Sequence, residues 1–99
     1  MTQSAISQQN QQIALEIIVR NHPGVMSHIC GLFARRAFNV EGILCMPMKN
    51  DAQSRIWLLV QKDHRLDQMV SQVDKLEDVQ QVKYNDDLRI FEQLSTFVQ

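Results

Sequence analysis

The sequence has little of what most site chemistries need: two cysteines, three histidines, two prolines, three glycines and one tryptophan in 99 residues. Cys30 and Cys45 show no CxxC pairing, and one falls in a helix-like stretch and the other in a strand-like one. That excludes a disulfide framework and points to free thiols packed in apolar surroundings, as in a reducing cytoplasm. His22, His28 and His64 have no metal-ligand spacing, and no cysteine joins them at a suitable interval. With both cysteines in apolar sequence, no Cys–His nucleophile pair is expected. The paired carboxylates Glu77–Asp78 and Asp86–Asp87 fall at element ends, where capping or solvation accounts for them. No catalytic or metal-binding residue is assigned.

No apolar run approaches the roughly 20 residues that span a bilayer, so no membrane association is expected. Met1–Ser7 lacks a basic segment followed by an apolar core, so no signal peptide is read there, and the expected location is cytoplasmic. The net charge of −1 gives no basic footprint for nucleic acid. A chain of 99 residues fits one small domain with a limited core, to which association would add burial.

What the sequence does have is alternation. Ile13, Leu15, Ile17 and Val19 share one face of a first strand, with Ala14, Glu16 and Ile18 on the other. Pro23 suits the first turn of a helix. Val25, Ile29, Leu32 and Phe33 form that helix's apolar stripe, which runs to about Ala37. Asn39, of a residue type that tolerates left-handed conformations, is expected to make the turn into a second strand, Val40 to Met48, whose Pro47 marks an edge or an exit. A polar hairpin, 49–54, leads to a third strand at Arg55–Gln61, with Ile56, Leu58 and Val60 opposite Trp57 and Leu59. Asp63 caps a second helix with Leu66, Met69, Val70, Val73 and Leu76 as its stripe. A fourth strand follows at Val79–Tyr84. Leu88, Phe91, Leu94, Phe97 and Val98 then fit either a helix or a helix followed by a short strand.

The order β-α-β-β-α-β predicts an α+β, ferredoxin-like fold: a four-stranded antiparallel sheet with two helices on one face. Strands one and three should be central and strands two and four at the edges. Residues 1–11 read as a mobile tail, 12–84 as the domain and 85–99 as a C-terminal extension. The second sheet face, with Ala14, Ile18, Trp57 and Leu59, is expected to stay open in a monomer. Together with the unpaired edge of strand two, it argues for a homodimer or a larger partner.

The loop Asn21–His22–Pro23–Gly24 opens the first helix. Free backbone N–H groups around Gly24, Val25 and Met26 would meet a carboxylate at the positive end of the helix dipole. Gly24 permits close approach to the backbone. Asn21 and Asn39 can both donate and accept, which suits the two ends of an amino acid. The plainer alternative is that Asn21 caps the helix and Asn39 only makes a turn.

Val19–Arg20–Asn21–His22–Pro23–Gly24–Val25, Gly31–Leu32–Phe33–Ala34–Arg35–Arg36 and Phe38–Asn39–Val40–Glu41–Gly42–Ile43 carry a resemblance, continued by Arg55–Val60 and Gln72–Val79. Over about residues 13–84 the chain resembles the ACT-domain small subunits of acetohydroxyacid synthase (acetolactate synthase), in their short form without a second domain. The resemblance implies a non-catalytic regulatory subunit of branched-chain amino-acid biosynthesis, including isoleucine. Such a subunit binds and activates a catalytic subunit and confers feedback inhibition by L-valine. It implies no cofactor on this chain. The catalytic partner would use thiamine diphosphate, Mg2+ and FAD. It also implies a homodimer with valine between the first loop of one chain and the second strand of the other. Asn21, Gly24 and Asn39 match effector-contacting positions, Val25 and Met26 follow as backbone donors, and Val40 adjoins Asn39. His22 and Pro23 complete the loop where many relatives carry small or charged residues.

Other modules of this topology fit less well. An RNA-recognition module needs stacking aromatics on strands one and three, and only Trp57 is available. A metal chaperone would want CxxC in the first loop. An ACT module sensing an amino acid for a different metabolic enzyme is the alternative.

Overall fold

The computed structural model describes residues 11–99. The elements are β1 (Gln12–Arg20), α1 (Val25–Arg35), β2 (Val40–Pro47), β3 (Gln53–Gln61), α2 (Leu66–Asp74), β4 (Val79–Asn85) and α3 (Arg89–Val98). The strands form one antiparallel sheet in the order β2-β3-β1-β4. The edges and centre are those expected from the connection rules. The tail assigned to 1–11 lies outside the described residues except for Gln11, whose carbonyl accepts from the Lys62 amide at 2.6 Å.

Alternation in β1 and β3 builds the core. Ile13, Leu15, Ile17 and Val19 face the helices with Ile56, Leu58 and Val60. Val25, Ile29, Leu32 and Phe33 of α1 and Leu66, Met69 and Val73 of α2 close over them. Leu15, Ile17, Ile29, Ile56 and Leu58 are each 0% exposed. Each large aliphatic side chain buried this way stabilises by about 1.5–3 kcal/mol.

The ends of α1 depart from expectation. Pro23 is not in the first helical turn. It and Gly24 are the central residues of a turn closed by the Val25 amide on the His22 carbonyl at 3.4 Å. Gly24 has φ 90° and ψ −9°, the positive-φ second position of a type II turn. At the other end, the left-handed residue is Ala37, with φ 51°, rather than Asn39. The Phe38 amide donates to Phe33 (2.9 Å) and the Ala37 amide to Ala34 (3.0 Å). This is a Schellman ending, and its accompanying apolar contact is the edge-to-face pair Phe33–Phe38 at 5.7 Å.

The hairpin turns earlier than the pattern indicated, and β3 begins at Gln53. Asn50 Oδ1 accepts the amides of Ala52 (3.1 Å) and Gln53 (3.2 Å), tightening the turn around Asp51 with its φ of 60°. Asp63 lies ahead of α2 rather than at its cap, which is Arg65 with no side-chain cap hydrogen bond. Its carboxylate accepts the Arg65 amide at 2.8 Å and the Arg65 guanidinium at 3.1 Å. The hydrogen bonds from Arg65 hold the Asp63 carboxyl down at about 2.

Residues 85–99 correct a larger expectation. Within them Arg89–Val98 form α3, which lies on the sheet face opposite α1 and α2. A Cβ added to Gly42 would sit 3.1 Å from the Phe91 ring and 3.2 Å from Leu59 Cβ, so α3 packs directly on β2 and β3. Ala14 is 1% exposed and Phe91 8%, while Trp57 and Leu59 are half-buried. The face expected to stay open is therefore partly covered by the chain itself. Its polar anchor is Glu16, 8% exposed. Asn85 donates to Glu16 Oε1 at 3.1 Å and accepts the Asp87 amide at 2.9 Å, so β1 is tied to the turn that starts α3. Lys83 Nζ and Arg55 Nε lie 3.6 and 3.7 Å from Glu16 Oε2 and compensate its charge.

Among the described residues no strand pairs with the outer edge of β2, and Ile43 and Met46 are 48% and 52% exposed. Cys45 is also exposed and Cys30 half-buried, which corrects the expectation of two buried thiols. The cause is geometric: α1 and α2 cover β1 and β3 and leave the helix-side face of β2 bare. Partial desolvation still pushes the Cys45 thiol above its ordinary value.

Candidate functional site at the two ends of helix α1

The β1–α1 loop is held by the hairpin beside it. The Asn21 backbone amide donates to Ala52 and its side-chain Nδ2 to the Asp51 carbonyl, both at 2.9 Å. Asn21 is therefore not a helix cap, and among the described residues no side chain caps α1. On the other flank the Arg20 amide donates to the Asp78 carbonyl at 2.9 Å, and His22 Nδ1 lies 3.6 Å from Asp78 Oδ2. Asn21, His22, Pro23 and Gly24 are all exposed, Met26 is half-buried and Val25 is buried.

This arrangement has a definite chemistry. Among the described residues, the amides of Gly24, Met26 and Ser27 meet no protein acceptor, whereas the Val25 amide closes the turn on His22. Three free donors at a helix N-terminus suit a carboxylate. With one N–H of Asn21 committed to Asp51, its Oδ1 remains as an acceptor, which suits an ammonium group.

Asn39 and Val40 lie elsewhere. They follow the C-terminal end of α1, which has 11 residues and is roughly 16 Å long at 1.5 Å per residue. One chain therefore does not bring them to Asn21, His22, Pro23, Gly24, Val25 and Met26. They line a groove between α1 and the β2 edge, with Cys30, Phe33, Ala37 and Ile43. The sequence reading missed Asp51, Ala52 and Asp78 as supports of the loop. Their contacts come from folding, and no local pattern marks them.

Among the described residues, no group of three or more His, Cys, Asp or Glu side chains could hold a metal ion. No helix among them is long and apolar enough to cross a membrane.

The fold, with a glycine loop opening the first helix on a four-stranded βαββαβ sheet, is that of an ACT domain. A family model described as the AHAS small subunit-like ACT domain matches residues 15–81. The chain is 58% identical over 91 residues to the acetolactate synthase isozyme 1 small subunit of Escherichia coli K12, covering 91% of this chain and 95% of that one. It is 35% identical over 63 residues to a probable acetolactate synthase small subunit of Archaeoglobus fulgidus, covering 63% of this chain and 40% of that one. Among solved structures it resembles the acetolactate synthase small subunit of Thermotoga maritima, with a TM-score of 0.66 and 32% identity over 74% of this chain and 46% of that one. The chain belongs to the acetolactate synthase small-subunit family of ACT domains.

Proposed function

We propose that this chain is a non-catalytic regulatory subunit that binds and activates an acetolactate synthase catalytic subunit and confers feedback inhibition by L-valine. The observation that carries the reading is the separation of the site into two halves at opposite ends of α1. A two-fold pairing of β2 edges sets one chain's Asn21–Met26 loop toward its partner's Asn39 and Val40, because the paired α1 helices then run in opposite senses. The free amides of Gly24, Met26 and Ser27 take the valine carboxylate, Asn21 Oδ1 takes its ammonium, and the apolar groove beside Val40 takes its isopropyl group. The bare β2 edge, with Ile43 and Met46 exposed, supports a homodimer. Thiamine diphosphate, Mg2+ and FAD belong to the catalytic partner in this reading, and the chemistry of pyruvate condensation takes place there.

Regulation follows from linkage. Valine shifts activity by the difference in its affinity for two states of the complex. A ligand held between two chains biases their relative geometry, and the catalytic subunit reads that geometry.

The test is reconstitution with the catalytic subunit and assay across valine concentrations, using the wild type, Asn21→Ala and Gly24→Asp. Expected are activation by all three chains and, for the two variants, half-inhibition at valine concentrations at least about tenfold higher, corresponding to roughly 1.4 kcal/mol of lost coupling. Unchanged inhibition in both variants would overturn the site, and absence of any effect of the wild type on activity would overturn the partner.

A further inference from the structure

Helix α3 runs from the β4 side of the sheet to the β2 edge. Its first turns lie beside Asn85 and Trp57. Phe91, the third residue of α3, already sits on Gly42 of the edge strand. Seven residues follow it to Val98. At 1.5 Å each they extend the helix by roughly 10 Å, about two strand spacings. Ser95 and Val98 border Glu41 and Ile43, so this extension is at the edge strand. Phe97 and Val98 are 84% and 85% exposed there. No charged side chain follows Glu92. Two bare apolar side chains thus lie at the end of a helix that reaches the β2 edge, beside which the described residues place no further strand.

We infer that, in the homodimer, α3 of each copy crosses the β2–β2 seam and seats Phe97 and Val98 on the outer sheet face of the second copy. This rests on the two-fold pairing proposed above. Pairing of β2 edges makes the two sheets continuous, so an overhang of two strand spacings lies over β2 and β3 of the other copy. On that face the register pairs Leu44 with Trp57 and Met46 with Arg55. Met46 is 52% exposed, and Leu44 and Trp57 are half-buried. The helix that covers part of its own outer face would thus supply cover for the part its partner leaves bare. The two contacts are related by the two-fold and occur twice per dimer.

The test is analytical ultracentrifugation of the full chain with tryptophan emission followed across the same concentrations, Trp57 being the single tryptophan. The variants are Phe97→Asp and, at the seam itself, Ile43→Lys. Both positions are exposed, and circular dichroism checks that the variants fold. Expected for the wild type is dimerisation with a blue shift of Trp57 emission. Phe97→Asp should raise the dimer dissociation constant by roughly tenfold or more and abolish the shift, since two apolar contacts are lost. Ile43→Lys should weaken the dimer independently of α3. A wild-type dimer whose affinity and Trp57 emission are unchanged by Phe97→Asp would overturn the crossing of α3 and leave the paired edges standing. A wild type monomeric at every concentration would overturn both.

Discussion

The side-chain amide of Asn21 donates to the carbonyl of Asp51 at 2.9 Å. This contact joins the loop that opens α1 to the β2–β3 hairpin, and it fixes which part of the Asn21 amide faces a ligand. The donor side is engaged with the hairpin, and among the described residues Oδ1 accepts no hydrogen bond.

Replacing Asn21 therefore has two separable effects. Asn21→Ala removes one hydrogen bond and should cost about 1 kcal/mol in urea unfolding. Asn21→Asp should cost a similar amount, since a carboxylate cannot donate to Asp51. It also places a negative charge near the free amides. That charge opposes the valine carboxylate, but the retained oxygen still accepts from the ammonium, which Ala cannot do, so valine binding followed by calorimetry should weaken less in Asn21→Asp than in Asn21→Ala.

The ending of α1 makes a prediction of the opposite sign. Ala37 has φ 51°, a conformation that a side chain disfavours by about 1–2 kcal/mol. Ala37→Gly relieves that cost at the expense of unfolded-state entropy, and the expected net is a gain of about 0.5–1 kcal/mol. Ala37→Val, β-branched at positive φ, should lose stability. Phe38→Ala removes the edge-to-face partner of Phe33 from a position only 5% exposed, and should cost about 3 kcal/mol. Chemical denaturation of the three variants checks all of these.

Helix α3 is anchored by Phe91 on Gly42. Gly42→Ala puts a methyl group 3.1 Å from the Phe91 ring and 3.2 Å from Leu59, closer than ordinary contact. A loss of about 1 kcal/mol is expected. Phe91→Ala should cost about 3 kcal/mol. In both variants amide exchange should rise first in residues 89–98, while β1 and β3 stay protected.

Tyr84 is the single tyrosine, so its titration is directly visible as phenolate absorbance. Burial, and then the hydrogen bond to the Asp67 carboxylate, push its hydroxyl up to about 12. The folded value lies above the unfolded one near 10, so the linked stability is fully present below about pH 10 and is lost as pH rises through about 12. Asp67→Asn should bring the transition back toward the ordinary tyrosine range. A transition already near 10 in the wild type would show that the pair does not persist in solution.

Much of the fold was legible in the sequence because burial here follows local period. Ile13 to Val19 and Ile56 to Val60 alternate, and Val25, Ile29, Leu32 and Phe33 repeat at helical spacing, so face and partner followed from the pattern alone. The position of α3 was not legible. Leu88, Phe91 and Leu94 show that a helix can form, but only tertiary packing decides that it lies on the outer face. One signal was present: Gly42 within a strand marks a close approach. The left-handed residue was misplaced for a related reason. Residue preference favours Asn39, but the Phe33–Phe38 contact sets the chain reversal at Ala37. At the site, the loop residues were recognisable, while the ties to Asp51 and Ala52, about 30 positions away in sequence, arise only on folding.

The most direct measurement is the thermal midpoint of the purified chain with L-valine, with D-valine as control. A site built from two copies of this chain should bind without the catalytic subunit. At about a hundredfold excess over its dissociation constant, a ligand adds roughly 2.7 kcal/mol, which for a domain of this size raises the midpoint by on the order of ten degrees. Expected is such a rise with L-valine, none with D-valine, and none with either in Gly24→Asp. An unchanged midpoint with L-valine, or equal shifts with both enantiomers, would contradict an effector site formed by the loop of one copy and the β2 edge of the other.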